Sequence, residues 1–139
     1  MAIVWTTKLA VGVPHIDDEH QELFRRVNAL LDAMAASRAK QEILPLLDFL
    51  SDYVGTHFGG EQRLMAAHRY PGAAAHVSQH TYFVGEYQAL ASEVNRGGPT
   101  ALLTIKLNKL LCDWLREHVG TTDRKLGEFL QQAGAPAQR

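Results

Sequence analysis

Two pairs of metal-binding residues, separated by a turn, are the feature that most constrains this chain. His57 and Glu61 are four residues apart, and so are His76 and His80. On an α-helix, residues four apart lie on one face, so each pair can direct two ligand atoms at one point. The intervening Tyr70-Pro71-Gly72 predicts a turn, and two antiparallel helices joined there would bring both pairs to a common interior.

A single pair of this kind more often lies on an ordinary surface or in an ordinary core than in a metal site. Two pairs on adjoining helices favour a metal, and a mixture of imidazole and carboxylate suits iron, zinc, copper or nickel. His76-Val77-Ser78-Gln79-His80 has no Glu after its first His, so this segment does not match the zinc-protease motif.

Four amphipathic stripes predict the fold class. Apolar residues recur at spacings of three and four in four segments that short polar, Gly- or Pro-containing connections separate. We predict helices over about 17–35, 41–65, 73–94 and 100–118, and a short C-terminal helix that ends near Leu130. These segments predict an all-α, up-down-up-down antiparallel four-helix bundle.

The predicted organisation is one domain over residues 1–139. An extended N-terminal arm (1–15), anchored by Trp5, would lie over the bundle (16–130), and a loose tail (131–139) would follow it. Asp17 or Asp18 can cap the first helix. Pro45 is tolerable in the second helix only within its first turn, where its missing N–H has no partner to lose.

Composition excludes several classes of protein. The 139 residues are 46% hydrophobic with a formal net charge of −1, which leaves no basic patch for nucleic acid. No apolar stretch approaches the roughly 20 residues that span a bilayer, and the N-terminus does not resemble a signal peptide. The lone Cys112 allows no intrachain disulfide. We therefore expect a cytoplasmic monomer without a membrane span.

Every predicted bundle helix carries imidazole or carboxylate groups on an otherwise apolar face, and a further carboxylate lies just past the fourth helix. The set is His20, His57, Glu61, His76, His80, His118 and Asp123. A buried unpaired polar group costs about 1–3 kcal/mol, so seven would exceed the roughly 5–15 kcal/mol that stabilises a small domain. A metal centre removes the difficulty. One ion takes about six ligands at most, so the set indicates two ions, of which one keeps an open position.

Asp123 reaches this set only if the fourth helix is interrupted. Five residues at about 100° each place Asp123 about 140° away from His118 on a straight helix. Gly120 permits the helix to end or bulge after His118.

The pattern resembles the hemerythrin family, and specifically its single-domain bacterial members, over nearly the whole chain. The motif is His20, His57-x-x-x-Glu61, His76-x-x-x-His80 and His118-x-x-x-x-Asp123. Supporting residues that also match are Trp5, Val11-Gly12, Asp17, Tyr53, Phe58, Leu64-Met65, Tyr70-Pro71 and Trp114-Leu115. The resemblance implies dioxygen binding at two non-haem iron ions joined by an oxo or hydroxo bridge.

The resemblance also implies a role for each ligand. The six-coordinate iron would be held by His76, His80 and His118. The five-coordinate iron would be held by His20 and His57. Both ions would be bridged by Glu61 and Asp123. Leu115 would line the dioxygen pocket, with Trp114 and Val119 nearby.

Three polar residues fall outside this scheme. Gln62 departs from the family, in which an acidic residue often follows the bridging Glu; we expect Gln62 to face outward without affecting the iron. His15 and His68 lie outside the motif, and we interpret both as surface residues, with an auxiliary metal or pH role as the alternative.

Ligand chemistry bears on function. Di-iron oxidases and ferritin-like proteins use mostly carboxylates with Glu-x-x-His repeats, and this chain contains no Glu-x-x-His. The resemblance implies an oxygen carrier, storage or delivery protein and not an enzyme, serving an oxygen-consuming partner that the sequence does not identify. Two alternatives stay open: an oxygen or redox sensor that acts through a partner, and a di-iron enzyme that handles peroxide, nitric oxide or iron.

Overall fold

The computed structural model of this chain describes residues 4–133 and contains only helical elements in that range. The α-helices are α1 (Pro14–Ala35), α2 (Ala39–Ala67), α3 (Ala73–Gly97), α4 (Ala101–Asp113) and α5 (Asp123–Gln132). A 3-10 turn, Thr7–Leu9, precedes α1, and a π-helical segment, Trp114–Thr122, joins α4 to α5. The predicted all-α four-helix bundle is confirmed.

The four long helices form a closed ring of neighbours. Short connections make consecutive helices antiparallel, and α1 packs on α2, α2 on α3, and α3 on α4. Contacts between α1 and α4 close the ring. Within residues 4–133, no helix combines the length and the apolar character that crossing a bilayer requires.

Apolar side chains divide into two clusters. The main core cluster fills the space between the four helices and includes Leu50, Phe83, Leu107, Trp114 and Leu115. The arm cluster lies where the N-terminal arm crosses the end of the bundle, and it consists of Val11, Val13, Ile16, Leu64, Met65, Leu126 and Leu130. The metal-competent residues lie on the helices between these two clusters.

The first helix begins earlier than the sequence predicted. It starts at Pro14, because a proline fits the first helical position, where its fixed φ is already helical. Asp17 does not cap this helix. Its carboxylate instead accepts hydrogen bonds from the N–H groups of Val11 (2.7 Å) and Gly12 (3.3 Å) and so ties the arm to α1.

Pro45 lies inside α2 and not in its first turn, because α2 begins at Ala39. This expectation was wrong. A proline at this position removes the N–H that would donate to the carbonyl of Gln41. Both residues are exposed, so solvent can satisfy that carbonyl. Burial of the following Leu46 and Leu47 stabilises the helix against this lost bond.

The two terminal segments of the described chain pack on the bundle. Trp5 is half-buried and packs on the main core cluster, as expected of an anchor for the arm. The C-terminal helix α5 continues to Gln132, so the predicted tail begins later than residue 131. Residues 134–139 of that tail lie outside the described part of the chain.

A glycine lets the arm cross α5. A Cβ atom added to Gly127 would lie 2.6 Å from the Cα atom of Val11 and 3.0 Å from its carbonyl oxygen. Backbone atoms cannot move aside as a flexible side chain can. Gly127 is therefore required for the close packing that builds the arm cluster.

We predict that Gly127→Ala lowers the free energy of unfolding by about 1–3 kcal/mol, because the methyl group would overlap the backbone of the arm. Urea denaturation measures the change. The matched control is Gly85→Ala on α3, where an added Cβ meets nothing within 4 Å. That variant should gain about 0.5–1 kcal/mol from the better helix propensity of alanine. Equal changes in the two variants would contradict the arm contact.

Candidate metal centre

All seven side chains singled out in the sequence meet in one buried site. Their residues are no more than 2% exposed. Three helices of the bundle and the two elements that follow α4 contribute: α1 gives His20, α2 gives His57 and Glu61, α3 gives His76 and His80, the π segment gives His118, and α5 begins with Asp123. The structure therefore brings five imidazoles and two carboxylates together inside an otherwise apolar bundle.

The Glu61 carboxylate lies between two sets of imidazoles. Its Oε1 atom is 3.2 Å from Nε2 of His76 and 3.0 Å from Nε2 of His80. Its Oε2 atom is 3.2 Å from Nε2 of His57 and 3.6 Å from Nε2 of His20. Each carboxylate oxygen thus faces a different pair of histidines.

Asp123 divides its two oxygens in the same way. Its Oδ1 atom is 3.1 Å from Nε2 of His118 and 3.0 Å from Nε2 of His76. Its Oδ2 atom is 3.0 Å from Nε2 of His20. The result is two groups that share both carboxylates, each with its ligand atoms within 4.8 Å of one another. One contains His76, His80 and His118, and the other contains His20 and His57.

The π-helical segment explains how Asp123 reaches the site. The N–H of Asp123 donates to the carbonyl of His118, an i→i+5 hydrogen bond in place of the α-helical i→i+4 bond. This wider turn brings residues five apart nearly above one another, whereas a straight α-helix would separate them by about 140°. The bulge predicted for the fourth helix is present, although it begins at Trp114, before His118, and not after it.

Three of the imidazoles are oriented by partners on their outer nitrogen. His57 Nδ1 lies 2.8 Å from Oε1 of Glu19, and His118 Nδ1 lies 2.7 Å from Oε1 of Gln79. Such bonds fix the ring orientation and turn Nε2 inward. Sequence reasoning missed both partners. The only available signal was that Glu19 and Gln79 directly precede His20 and His80, on the flank of each helix.

Gln62 is the third such partner, and the expectation that it faces outward was wrong. It is half-buried, and its Nε2 atom lies 3.2 Å from Nδ1 of His80. On α2 it follows Glu61 by about 100°, which turns it toward the neighbouring α3 and not toward solvent. Gln62 therefore contacts a residue of the candidate centre directly.

Aromatic rings lie flat against three of the imidazoles. Tyr53 stacks on His57 with ring centroids 4.6 Å apart. Phe58 stacks on His80 at 3.9 Å, and Trp114 stacks on His118 at 3.8 Å. These rings are buried and shield one side of the site from water.

The remaining sequence candidates lie at different depths. Leu115 and Val119 are buried in the main core cluster, on the turns that flank His118. His15 and His68 are half-buried and belong to neither ligand group. Nε2 of His15 lies 3.7 Å from where a Cβ of Gly60 would be, so His15 contacts α2 near Glu61 without joining the cluster.

Charge in the metal-free site is balanced by protons on histidine. Burial lowers the pKa of His20, but the adjacent Asp123 and Glu61 carboxylates outweigh burial and raise the pKa to about 10. The same competition raises the pKa of His76 to about 9. Burial raises the pKa of Glu61, yet the facing histidines hold that pKa well below its ordinary value. A metal cation would replace these protons.

Comparison with known proteins agrees with this arrangement. The family model described as Hemerythrin HHE cation binding domain matches residues 11–130. A protein named bacteriohemerythrin from Methylococcus capsulatus is 33% identical over 129 residues, 92% of this chain and 96% of the relative. A myohemerythrin-1 from Phascolopsis gouldii is 32% identical over 123 residues, 88% of this chain and 89% of the relative. A bacteriohemerythrin from Stenotrophomonas maltophilia is 27% identical over 122 residues.

We predict that the metal-free protein loses stability as the pH rises from about 6.5 to 10. The pKa values of His20 and His76 in the folded state are about 10 and about 9, above their ordinary 6.5. Their contribution is therefore fully present below pH 6.5 and is lost as the pH rises through those values. Thermal unfolding of chelator-treated protein across this range measures the effect.

The metal-loaded protein is the control for this experiment. Bound metal replaces the histidine protons, so the Tm of the loaded form should not fall across the same pH window. A Tm of the metal-free form that stayed constant from pH 6.5 to 10 would show that His20 and His76 do not carry the compensating protons.

Proposed function

Because this chain belongs to the hemerythrin family, we propose that it binds dioxygen reversibly at a non-haem di-iron centre. The observation that carries the proposal is the pair of ligand groups that share both carboxylates. A single buried ion would need one group of ligands. Two groups, each using one oxygen of Glu61 and one of Asp123, suit two ions bridged by the same carboxylates.

The donor atoms fit iron. Buried nitrogens of His20, His57 and His118 and buried oxygens of Glu61 and Asp123 have no aligned hydrogen-bond partner among the described residues. A buried polar atom without a hydrogen-bond partner lowers the stability of the fold unless a ligand binds it. Imidazole nitrogen and carboxylate oxygen together are ligands that iron accepts. We assign all seven residues of the cluster as ligands.

The unequal division of histidines supports an open coordination position. In the proposed centre His76, His80 and His118 would hold one ion, together with one oxygen from each carboxylate and a solvent-derived oxo or hydroxo group. The second ion would be held by His20 and His57 as its imidazole ligands, one fewer than the first, which would leave room for dioxygen. An open position is what separates a ligand-binding metal site from a closed structural one.

Two reduced irons would supply the two electrons that reversible dioxygen binding requires. The protein's part is to hold the site rigid and dry. Leu115, Trp114 and Val119 are buried on the helix that carries His118, and we propose that they line the dioxygen pocket. An apolar wall there slows the access of water and protons.

We propose a carrier, storage or delivery role and not an enzymatic one. The relatives at 33% and 32% identity are named bacteriohemerythrin and myohemerythrin, and we extend their kind of role to this chain. The single half-buried Cys112 suits a reducing compartment, and we propose that the chain acts as a cytoplasmic monomer. The partner that consumes the oxygen is a separate protein in this proposal.

The direct test is an optical spectrum of the iron-loaded protein, reduced, exposed to air and then degassed. An absorption band that forms with air and disappears on degassing, together with two irons per chain, is the expected result. One equivalent of zinc per chain without charge-transfer absorption would exclude the centre. Catalytic turnover with peroxide or nitric oxide would instead favour the enzyme hypothesis.

We predict that Glu61→Ala and Asp123→Ala each abolish the spectrum of paired irons, because each variant removes one bridging carboxylate. Iron analysis and the near-ultraviolet absorption of the oxidised protein measure the loss. His68→Ala is the control, since His68 lies in neither ligand group, and it should keep both irons. Loss of iron in His68→Ala would mean that the histidines are wrongly divided between ligands and bystanders.

We predict that Leu115→Ala speeds both dioxygen release and irreversible oxidation of the irons. The cavity left behind admits water to the open position. The control is Leu107→Ala, an equally buried leucine two turns earlier on the same helix. Each substitution should cost about 2–5 kcal/mol of stability, but only the first should change the decay of the dioxygen-dependent absorption. Equal decay rates in both variants would remove Leu115 from the pocket.

A further inference from the structure

One side-chain oxygen connects α3 to two positions of the π-helical segment. Oε1 of Gln79 lies 2.7 Å from Nδ1 of His118 and accepts a hydrogen bond from the hydroxyl of Thr122 at 2.9 Å. Gln79 itself lies between His76 and His80 on α3. The helix that supplies two imidazoles to the centre thus also holds the segment that supplies a third.

The π-helical register needs such support. π-helical turns are rare, and they occur frequently at functional sites. If the segment relaxed to an ordinary α-helix beyond His118, Asp123 would turn about 140° away from the face that carries His118. Both of its oxygens would then leave the histidines that they contact now.

The two bonds to Gln79 bear on the helical register of the segment. Each residue of an i→i+5 helix turns through less than the 100° of an α-helix. In an α-helical continuation Thr122 would lie about 40° past His118 on the same face of the helix, so the π register differs from it by a limited rotation of Thr122. The bond from Thr122 to the oxygen that His118 also contacts opposes that rotation.

We propose that Gln79 is a positioning residue whose side-chain oxygen clamps the π-helical register and so keeps Asp123 in the centre. The clamp acts on the protein's own backbone and does not touch a reacting group. Its consequence for metal binding rests on the proposed function, because it assumes that Asp123 is a ligand. Its effect on the backbone does not, because the bonds are formed by the chain alone.

A simpler reading is that Gln79 only orients the ring of His118, as an outer partner of a metal ligand does. The two readings differ at Thr122. Thr122→Val removes the second bond of the clamp while leaving the bond between Gln79 and His118. Orientation of the ring would survive this substitution, whereas the register would be released.

The experiment measures hydrogen exchange at the amide of Asp123, which donates to the carbonyl of His118, in the metal-free protein by NMR. Gln79→Ala and Thr122→Val should each speed exchange about tenfold, the change expected when a bond worth roughly 1.4 kcal/mol is lost. Gln79→Glu keeps an acceptor oxygen and should exchange as the parent does. Ser78→Ala, the exposed neighbour on α3, is the matched control and should also match the parent.

A second amide separates local release from general destabilisation. Leu50 is fully buried on α2, and its amide should open only in global unfolding, so any loss of native stability in a variant also speeds its exchange. The opening free energy at Asp123 should lie below that at Leu50 in the parent and in all four variants, and equal values would mean that Asp123 opens only with the whole fold and would overturn the clamp. Unchanged exchange at Asp123 in Thr122→Val would overturn it as well, and would leave Gln79 as a partner of His118 alone.

Iron content supplies an independent readout. Gln79→Ala and Thr122→Val should retain less iron per chain than Ser78→Ala when dialysed against the same chelator. If the parent binds no iron at all, the proposed function fails, while the exchange experiment still decides the clamp. If the parent binds dioxygen but exchange at Asp123 never changes, only the clamp fails.

Discussion

The structure depends on the burial of two carboxylates among five imidazoles in the interior of a small helical bundle. Burial of these groups is unfavourable unless each is paired. Both carboxylates are paired with imidazoles, because Glu61 and Asp123 each direct one oxygen at one histidine group and the second oxygen at the other. In the metal-free protein, protons on His20 and His76 balance the charge. In the proposed holo form, two cations take that place. The four helices are thus joined at one point by ionic contacts.

The need to place Asp123 in this site determines the shape of the fourth helix. A regular α-helix from Ala101 onward would satisfy more backbone bonds in standard geometry, yet it would carry Asp123 to another face. The π-helical segment resolves this conflict. Its wider turn is held by the i→i+5 bond to His118 and, in our proposal, by Gln79. A local irregularity of the backbone is here the requirement for a regular arrangement of ligands.

The partners on the outer side of the histidines make the two halves of the site unequal. His57 faces the carboxylate of Glu19, whereas His118 and His80 face the amides of Gln79 and Gln62. A carboxylate partner makes an imidazole a stronger donor than a neutral amide does. The anionic partner, Glu19, thus contacts His57 of the two-histidine group, which has fewer candidate ligands. Tyr53, Phe58 and Trp114 stack on these same three rings and restrict their rotation.

The sequence alone determined the features that depend on local periodicity. Spacings of three and four specify one face of a helix, so the four helices and six of the seven inward groups could be read directly. Asp123 lies off that face on a straight helix, and its inclusion depended on the interruption predicted for the fourth helix. Tertiary structure decided whatever depends on the angle between helices. Gln62 contacts His80 because α2 and α3 are adjacent, and Gln79 reaches Thr122 because α3 lies beside the π segment. Polar residues on the flank of a helix follow no apolar periodicity, because their side chains can hydrogen-bond equally well to solvent or to a neighbouring helix. Only the packing of the helices determines whether such a residue contacts solvent or a neighbouring helix.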